Sequence, residues 1–156
     1  MESETYTQNK EEKINGVIYN MSPAPGFKHG IINGNLHALI KQGLKGSLCL
    51  VFMENLDFRY HPDINDDYVC PDIMIVCDRK HLKGSFYSGV EEFWTIFPQG
   101  KSINIYYLEN GKYHLEQSYI LQEDEEEDDY NAKTWISLRA FPNIKMRLED
   151  VFENVD

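Results

Sequence analysis

The sequence predicts an α+β domain in which a mixed sheet is combined with one main helix. The helix is predicted over residues 27–44, where apolar side chains recur at helical spacing, at Ile32, Leu36, Leu39 and Ile40. Most other apolar residues fall in short runs separated by turn residues, which is typical of strands. A chain of 156 residues fits one domain with one core. We therefore expect a single domain over residues 1–156, with residues 1–11 frayed.

The clearest strand signal is a hairpin centred on Asn110 and Gly111. This dipeptide favours the positive φ angles of a type I′ turn, and an apolar run flanks it on each side. A short C-terminal helix is predicted at 149–155. The predicted strands, in chain order, cover residues 16–21, 48–52, 56–60, 69–77, 92–97, 102–108, 113–121, 134–138 and 143–148.

Composition indicates an ordered globule, since 42% of the residues are hydrophobic and 13% are aromatic. The three cysteines, Cys49, Cys70 and Cys77, are an odd number without paired spacing, and residues 1–10 are polar. The apolar runs have strand length, so none is predicted to span a membrane. We therefore expect a cytoplasmic protein with reduced thiols.

The charge balance argues against a protein that binds nucleic acid with its whole surface. The chain has 26 acidic and 15 basic residues, a net charge of −11, whereas phosphate binding favours basic surfaces. Any DNA contact is therefore expected to be local. The acidic run within residues 123–131 is typical of a solvated loop, and DNA mimicry or recruitment of a basic partner is the less common alternative.

The most informative residue is Asp72, which follows Pro71 at the start of an apolar strand. A carboxylate at the mouth of such a strand is how many metal-dependent phosphodiesterases hold a divalent ion. The structural alternative is equally compatible with the pattern, because an Asp at a strand start often accepts hydrogen bonds from nearby backbone N–H groups.

Several segments together resemble one known family. Residues 12–25 contain a Glu, an Asn-Gly pair, a Tyr and a Met-Ser-Pro-Ala-Pro stretch, and residues 68–78 contain the Pro-Asp strand. Residues 89–94 are Gly-Val-Glu-Glu-Phe-Trp, and residues 141–152 complete the pattern with a strand and a helix. The chain is similar to the Uma-type family of putative restriction endonucleases, within the PD-(D/E)xK nuclease fold. The resemblance implies a restriction-endonuclease-like mixed sheet and metal-dependent cleavage of DNA.

The chain departs from the family between residues 85 and 88, where a core strand and most of a helix are missing. In the family that block supplies the second metal-binding carboxylate and the lysine. In addition, Phe97 occupies a position that is commonly acidic. The resemblance therefore implies half a site with catalytic Asp72, Glu12 and Glu92. It also implies Asp72 as the ligand of Mg²⁺ or Mn²⁺ if the protein is active, and no cofactor otherwise.

Other residues are candidates to replace the missing groups. Glu92 opens the strand expected to pack where the lost strand lay, and Glu12 matches a family glutamate near the site. Lys80 and Lys83 follow the Pro-Asp strand and are candidates for a migrated lysine. His29, at the start of the predicted helix, is more typical of a surface or capping histidine than of a ligand.

These observations favour a restriction endonuclease-like domain, descended from a DNA phosphodiesterase and catalytically impaired. The alternative is a non-catalytic interaction module of the same fold, self-associating through residues 86–97, where aromatic residues cluster. A third hypothesis places the function in the acidic run.

Overall fold

The structure is a computed structural model that describes residues 10–20, 26–53, 56–59, 66–82, 86–87 and 90–156. Strands predominate, together with a long helix, α1 (Phe27–Gly43), and a short one, α2 (Leu148–Val151), and this confirms the predicted α+β class. The strands are β1 (Glu11–Ile14), β2 (Val17–Asn20), β3 (Leu50–Met53), β4 (Asp57–Arg59), β5 (Tyr68–Val69), β6 (Ile73–Val76), β7 (Phe86–Tyr87), β8 (Glu92–Phe97), β9 (Ser102–Glu109), β10 (Lys112–Ile120), β11 (Trp135–Leu138) and β12 (Phe141–Arg147).

The described strands form four separate hydrogen-bonded sheets. The largest has the order β2-β1-β5-β4-β7, and a second has the order β10-β9-β8. The other two are the ribbons β11-β12 and β3-β6. Neighbouring strands are antiparallel except for β4 and β7, which are parallel, so the strand pairing is mixed as predicted.

Helix α1 begins and ends close to the predicted positions. It starts after Gly26, which offers no side chain to cap the first turn, and no acidic residue lies in that turn. It ends at Gly43, where an added Cβ would come within 2.6 Å of Ile144 Cγ1 on β12, so a side chain at position 43 would force this contact apart. No helix in the described ranges is long and apolar enough to cross a membrane.

The main hydrophobic core joins α1 to the C-terminal half of the chain. Ile32, Leu36 and Ile40 on one face of α1 belong to the same buried cluster as Ile103 of β9 and Val151 of α2. The spacing of these helical residues is the pattern from which the helix was predicted. A smaller cluster of Leu56, Phe58, Met74 and Val76 lies apart from it, around β4 and β6.

Two Asn-Gly pairs form turns of the same kind. Asn110 and Gly111 have φ angles of 51° and 76°, and they join β9 to β10 as predicted. Asn15 and Gly16, with φ angles of 52° and 78°, join β1 to β2, a hairpin that the sequence analysis missed. Residues 1–9 of the segment expected to be frayed lie outside the described ranges, and Glu11 already opens β1.

The predicted strand at 69–77 is in fact two strands in two different sheets. β5 pairs with β1 and β4, whereas β6 pairs with β3. The break falls between Val69 and Ile73 and contains Pro71, whose nitrogen has no hydrogen to donate to a ladder. Asp72 therefore lies where the chain passes from one sheet to the other.

The connection between β6 and β8 is short. It contains a 3₁₀ turn (Arg79–His81) and β7, which the sequence analysis did not predict, and none of its described residues is in an α-helix. Residues 83–85 and 88–89 of this connection lie outside the described ranges.

Cys49 and Cys77 form a disulfide, so the expectation of reduced thiols is wrong for these two residues. The first ladder pair of β3 and β6 is Leu50 opposite Val76, which places the two cysteines opposite each other one step beyond the ladder. Their Cα atoms are 4.1 Å apart. Their separation of 28 residues gives no sign of this pairing, which depends on the register of the two strands. Cys70 is buried and not in a disulfide.

Replacing both Cys49 and Cys77 with Ser is expected to lower the free energy of unfolding by about 3–4 kcal/mol, because the bond restricts a loop of this length in the unfolded chain. Urea denaturation measures the change. Reductant should destabilise the wild type to the same extent and leave the double variant unaffected. A wild type with the same urea midpoint with and without reductant would contradict the prediction.

Asp67 is a buried carboxylate that fixes the β1–β2 hairpin to the start of β5. It has no exposed surface, and its oxygens accept hydrogen bonds from the backbone N–H groups of Asn15 at 2.8 Å and Gly16 at 2.9 Å. Because a buried carboxylate is costly unless it accepts hydrogen bonds, these two bonds hold the turn against the start of β5.

The Asp67→Ala substitution is expected to cost about 2–4 kcal/mol of stability, since it removes two hydrogen bonds from backbone N–H groups to a charged carboxylate. The neighbouring Asp66→Ala substitution is the matched control. Asp66 is exposed and pairs with Arg59 at the surface, so its loss should cost about 0–1 kcal/mol. Equal unfolding midpoints for the two variants would show that Asp67 does not hold the turn.

Candidate active site

Asp72 lies in a small cluster of charged and polar side chains. Its Oδ1 atom is 3.4 Å from Lys10 Nζ, which donates a hydrogen bond to it, and 3.2 Å from His29 Nε2. The Asp72 side chain is 41% exposed, so the carboxylate is accessible to solvent. The cluster brings together the segment before β1, the first turn of α1 and the junction between β5 and β6.

His29 contacts both this carboxylate and a residue on the buried face of α1. Its Nε2 atom is also 2.9 Å from Nδ2 of Asn33, a buried residue one turn later in the helix. One ring nitrogen cannot donate to Asp72 and accept from Asn33 at the same time. When the proton of a neutral His29 is on Nδ1, Nε2 accepts a hydrogen bond from the Asn33 side-chain amide. When the proton is on Nε2, the ring donates a hydrogen bond to Asp72, and the Asn33 amide must turn so that its oxygen replaces its NH₂ group. The proton position therefore determines which neighbour holds the ring.

Glu12 and Cys70 form the adjoining part of the cluster. Glu12 Oε1 accepts a hydrogen bond from the backbone N–H of Cys70 at 3.1 Å. Burial raises the pKa of the Cys70 thiol, Lys10 opposes this shift, and the carboxylate of Asp57 on β4 adds to it. The same influences show that Lys10, Asp57 and Glu12 all lie near Cys70. Glu12 thus contacts the chain two residues before Asp72.

The described residues around Asp72 were compared with the ligand sets that hold metal ions in proteins. No group of three or more His, Cys, Asp or Glu side chains in the described ranges is arranged to hold one. The Lys10 ammonium already lies beside Oδ1 of Asp72, and it would repel a second cation there. Within the same ranges, Oδ2 of Asp72 has no hydrogen-bond partner, so this oxygen is free for a ligand.

The other predicted site residues lie elsewhere or outside the described ranges. Glu92 is on β8, where its two oxygens accept hydrogen bonds from Trp94 Nε1 at 2.7 Å and from the backbone N–H of Arg139 at 2.8 Å. Lys80 is exposed in the turn that follows the far end of β6 from Asp72. Lys83 lies outside the described ranges. Of the predicted residues, the structure brings Glu12 and His29 close to Asp72.

Lys10 is the residue of the cluster that the sequence analysis missed. It was assigned to the segment expected to be frayed, although the alternation of a strand places it on the same face as Glu12. That alternation was the available signal, since the family glutamate at position 12 was already a candidate. There was no comparable signal for Asn33 in the sequence. Its role depends on the hydrogen bond with His29, and a polar residue on the buried face of a helix does not by itself indicate such a bond.

Comparison with known proteins agrees with the fold. The sequence profile of the Uma2 family, described as a putative restriction endonuclease, matches residues 2–87. A crystal structure of a putative nuclease belonging to DUF820 from Anabaena variabilis ATCC 29413 is similar, with a TM-score of 0.66 and 14% sequence identity. The similarity covers 91% of this chain and 89% of that chain. No curated protein matches the chain significantly.

Alkylation of Cys70 in the folded protein is expected to be slow at neutral pH, because a raised pKa keeps the thiol protonated. The reaction should become fast only at a pH above the ordinary thiol range. Correspondingly, this group stabilises the fold fully below the unfolded thiol pKa, and the contribution is lost as pH rises through the folded pKa.

Iodoacetamide labelling followed by intact-mass measurement tests this prediction. The Cys70→Ser variant is the control, since without reductant it should take up no label. Labelling of wild-type Cys70 at neutral pH as fast as in the urea-unfolded chain would contradict the prediction.

Proposed function

Because this chain belongs to the Uma2 family of putative restriction endonucleases, we propose that it descends from a divalent-metal-dependent DNA phosphodiesterase and is catalytically impaired. The restriction-endonuclease-like fold is retained. One observation carries the proposal: the contacts of the Asp72 carboxylate are with Lys10 and His29 rather than with a second carboxylate. We keep Asp72 as the central residue of this half site, with Glu12 beside it.

The chemistry of phosphodiester hydrolysis explains why a half site is impaired. A divalent ion polarises the phosphate and generates hydroxide, and carboxylates must hold it for that purpose. Mg²⁺ keeps several waters and accepts few protein ligands, but it needs them in near-octahedral geometry. Here Mg²⁺ or Mn²⁺ would meet one carboxylate already neutralised by an ammonium. Loss of one charged stabilising group commonly lowers a rate by a factor on the order of 10² or more.

Glu92 is a weaker candidate for a catalytic residue than Asp72 or Glu12. Both of its oxygens accept hydrogen bonds within the region of β8 and residue 139, and these contacts hold the carboxylate in place. Taking part in a metal site near Asp72 would require breaking them. Their loss would leave the Trp94 indole N–H and the Arg139 backbone N–H without acceptors.

DNA binding, if retained, is local in this proposal. Lys10, Lys28 and His29 surround the start of α1, and the helix dipole adds partial positive charge there. The remainder of a chain with net charge −11 repels phosphate. The expected contact is therefore weak and strongly salt-dependent.

A self-associating module is the second candidate function. Within the predicted region of residues 86–97, Phe93 and Phe97 are 44% and 49% exposed on one side of β8. Trp94 points the other way and packs against the main core. Exposed phenylalanines at alternate positions of a strand are the observation that favours this candidate.

A cytoplasmic location remains a prediction. Disulfides are rare in reducing compartments, so the Cys49–Cys77 bond weighs against it.

The wild-type chain is expected to show no metal-dependent nicking of supercoiled plasmid in Mg²⁺ or Mn²⁺, because its carboxylate set is incomplete. The Asp72→Ala variant should then be indistinguishable from the wild type. Agarose gel electrophoresis of the plasmid forms over a time course measures the result.

Asp128→Ala, in the exposed acidic run, is the matched control for the substitution of an aspartate. Nicking that requires metal, is lost in Asp72→Ala and persists in Asp128→Ala would overturn the proposal of impaired catalysis. A gel-shift arm with duplex DNA at low salt separates loss of cleavage from loss of binding.

A further inference from the structure

The sheet β10-β9-β8 has one face on the main core and one face uncovered. On the core face, Trp94, Ile103 and Ile105 pack into the main cluster. The opposite face carries large apolar side chains that are between 37% and 59% exposed. They are Phe93, Phe97, Leu108, Tyr113, Leu115 and Ile120. We call this surface the outer face.

Strand register makes the outer face continuous. Phe93 of β8 lies opposite Tyr106 of β9, which lies opposite Leu115 of β10, so these three side chains form one row across the sheet. Phe97 and Ile120 lie at the two ends of a parallel row, on either side of Ser102. Side chains in such rows point to the same side of the sheet.

The aromatic residues of the outer face are ordered by contacts with each other. The Phe93 ring centroid is 5.4 Å from that of Tyr106 and 5.9 Å from that of Tyr113. The Tyr113 hydroxyl donates a hydrogen bond to the backbone carbonyl of Val90 at 2.8 Å. A partner would therefore meet a preformed surface and would pay little entropy to order it.

Among the described residues, charge on the outer face lies at its edge, where the exposed Glu91 is opposite Leu108, whose N–H donates a hydrogen bond to the Glu91 carbonyl. Thr95, Asn104 and Ser118 fill the row between the apolar ones, and Asn104 accepts a hydrogen bond from Ser118. Glu116 falls at the register shift of β10. Burial and the charge of Glu92 raise the pKa of Tyr107, which lies on the core side of β9, and Glu116 adds to this shift. The central rows of the outer face are therefore uncharged, on a chain with 26 acidic residues.

We propose that the outer face is the contact between two copies of this chain, arranged as a symmetric dimer with the two sheets face to face. The proposal deepens the second candidate function, since it names the surface and the partner. In a two-fold contact each patch meets itself, so a charged patch would repel its copy. The central rows of the outer face are uncharged and Glu91 lies at the edge, so a chain of net charge −11 can meet its copy there with its acidic side chains at the rim.

The area of the outer face agrees with what a dimer needs. Large apolar and aromatic side chains present about 150–250 Å² each, so the six exposed fractions amount to on the order of 500 Å² of apolar surface. A stable interface uses about 800 Å² on each partner, of which about 60% is apolar. The outer face therefore supplies the apolar part of a standard interface, with the neighbouring polar residues as its rim.

Other partners fit this surface less well. Nucleic acid binding requires basic side chains among the aromatic ones, and the outer face has none. A basic protein would be drawn to the acidic run at residues 123–129 rather than to a sheet face whose central rows are uncharged.

Sedimentation velocity of the wild type, over micromolar to submillimolar concentration, tests the proposal. A dimer is expected. Leu115→Lys should raise the dissociation constant by at least about tenfold, because it buries an unpaired ammonium on each side of the contact. His114→Lys is the matched control, since the adjacent exposed side chain of the same strand lies on the opposite side of the sheet and should leave the dimer intact.

Each outcome decides the proposal. A wild type that is monomeric over the whole range overturns it, as does a dimer that His114→Lys weakens as much as Leu115→Lys does. If circular dichroism shows that Leu115→Lys is unfolded, Ile120→Lys takes its place, and a dimer unaffected by that variant overturns the proposal. The measured mass is independent of DNA and metal, so the result stands apart from the plasmid assay.

Discussion

Pro71 removes one backbone donor between β5 and β6, and the arrangement of the candidate site depends on that interruption. Because the ladder cannot continue through the proline, the chain leaves the sheet of β1, β4 and β5 and enters the ribbon of β3 and β6. Asp72 follows Pro71 directly and lies where the chain passes from that sheet to the ribbon. The carboxylate there is within reach of Lys10 and of the start of α1, which neither sheet alone would provide.

The charges next to Asp72 differ from those expected in the metal site that the family resemblance implies. A carboxylate that faces a second carboxylate repels it, and a divalent ion relieves the repulsion. A carboxylate that faces an ammonium and a histidine has its charge compensated without any ion. The contacts of Asp72 are of the second kind. Among the described residues, the groups that contact Asp72 are thus those of a charge pair, and on this basis we propose impaired metal binding.

Features that depend on residues close together in the sequence were predicted correctly. The helix at residues 27–44 and the turn at Asn110-Gly111 depend on periodicity and on φ angles, and both were predicted. The same Asn-Gly signal at residues 15–16 was available, but the polar segment before it was judged frayed.

Features that depend on distant neighbours were not predictable in this way. The pairing of Cys49 with Cys77 requires the register of β3 with β6, and the role of Asp67 requires knowing that the β1–β2 turn lies beside it. Likewise, the contact of Lys10 with Asp72 crosses 62 positions of sequence. Residue types alone carry no information about such contacts. Asp72 was a candidate because of its place at the start of an apolar strand, and Glu12 because of the family resemblance.

The short connection between β6 and β8 links the two functional conclusions. In the described part of that connection a 3₁₀ turn and a two-residue strand occupy the place where the family resemblance implies a carboxylate-bearing strand and a helix. In the proposal of impaired catalysis, this shortening removes the partner carboxylate of Asp72, and the connection ends where β8 brings Phe93 and Phe97 onto the outer face. A sheet that buries one face and exposes aromatic side chains on the other is stabilised when another surface covers it. The two proposals, impaired catalysis and self-association, therefore concern the two ends of one short connection, Asp72 before β6 and the exposed phenylalanines of β8.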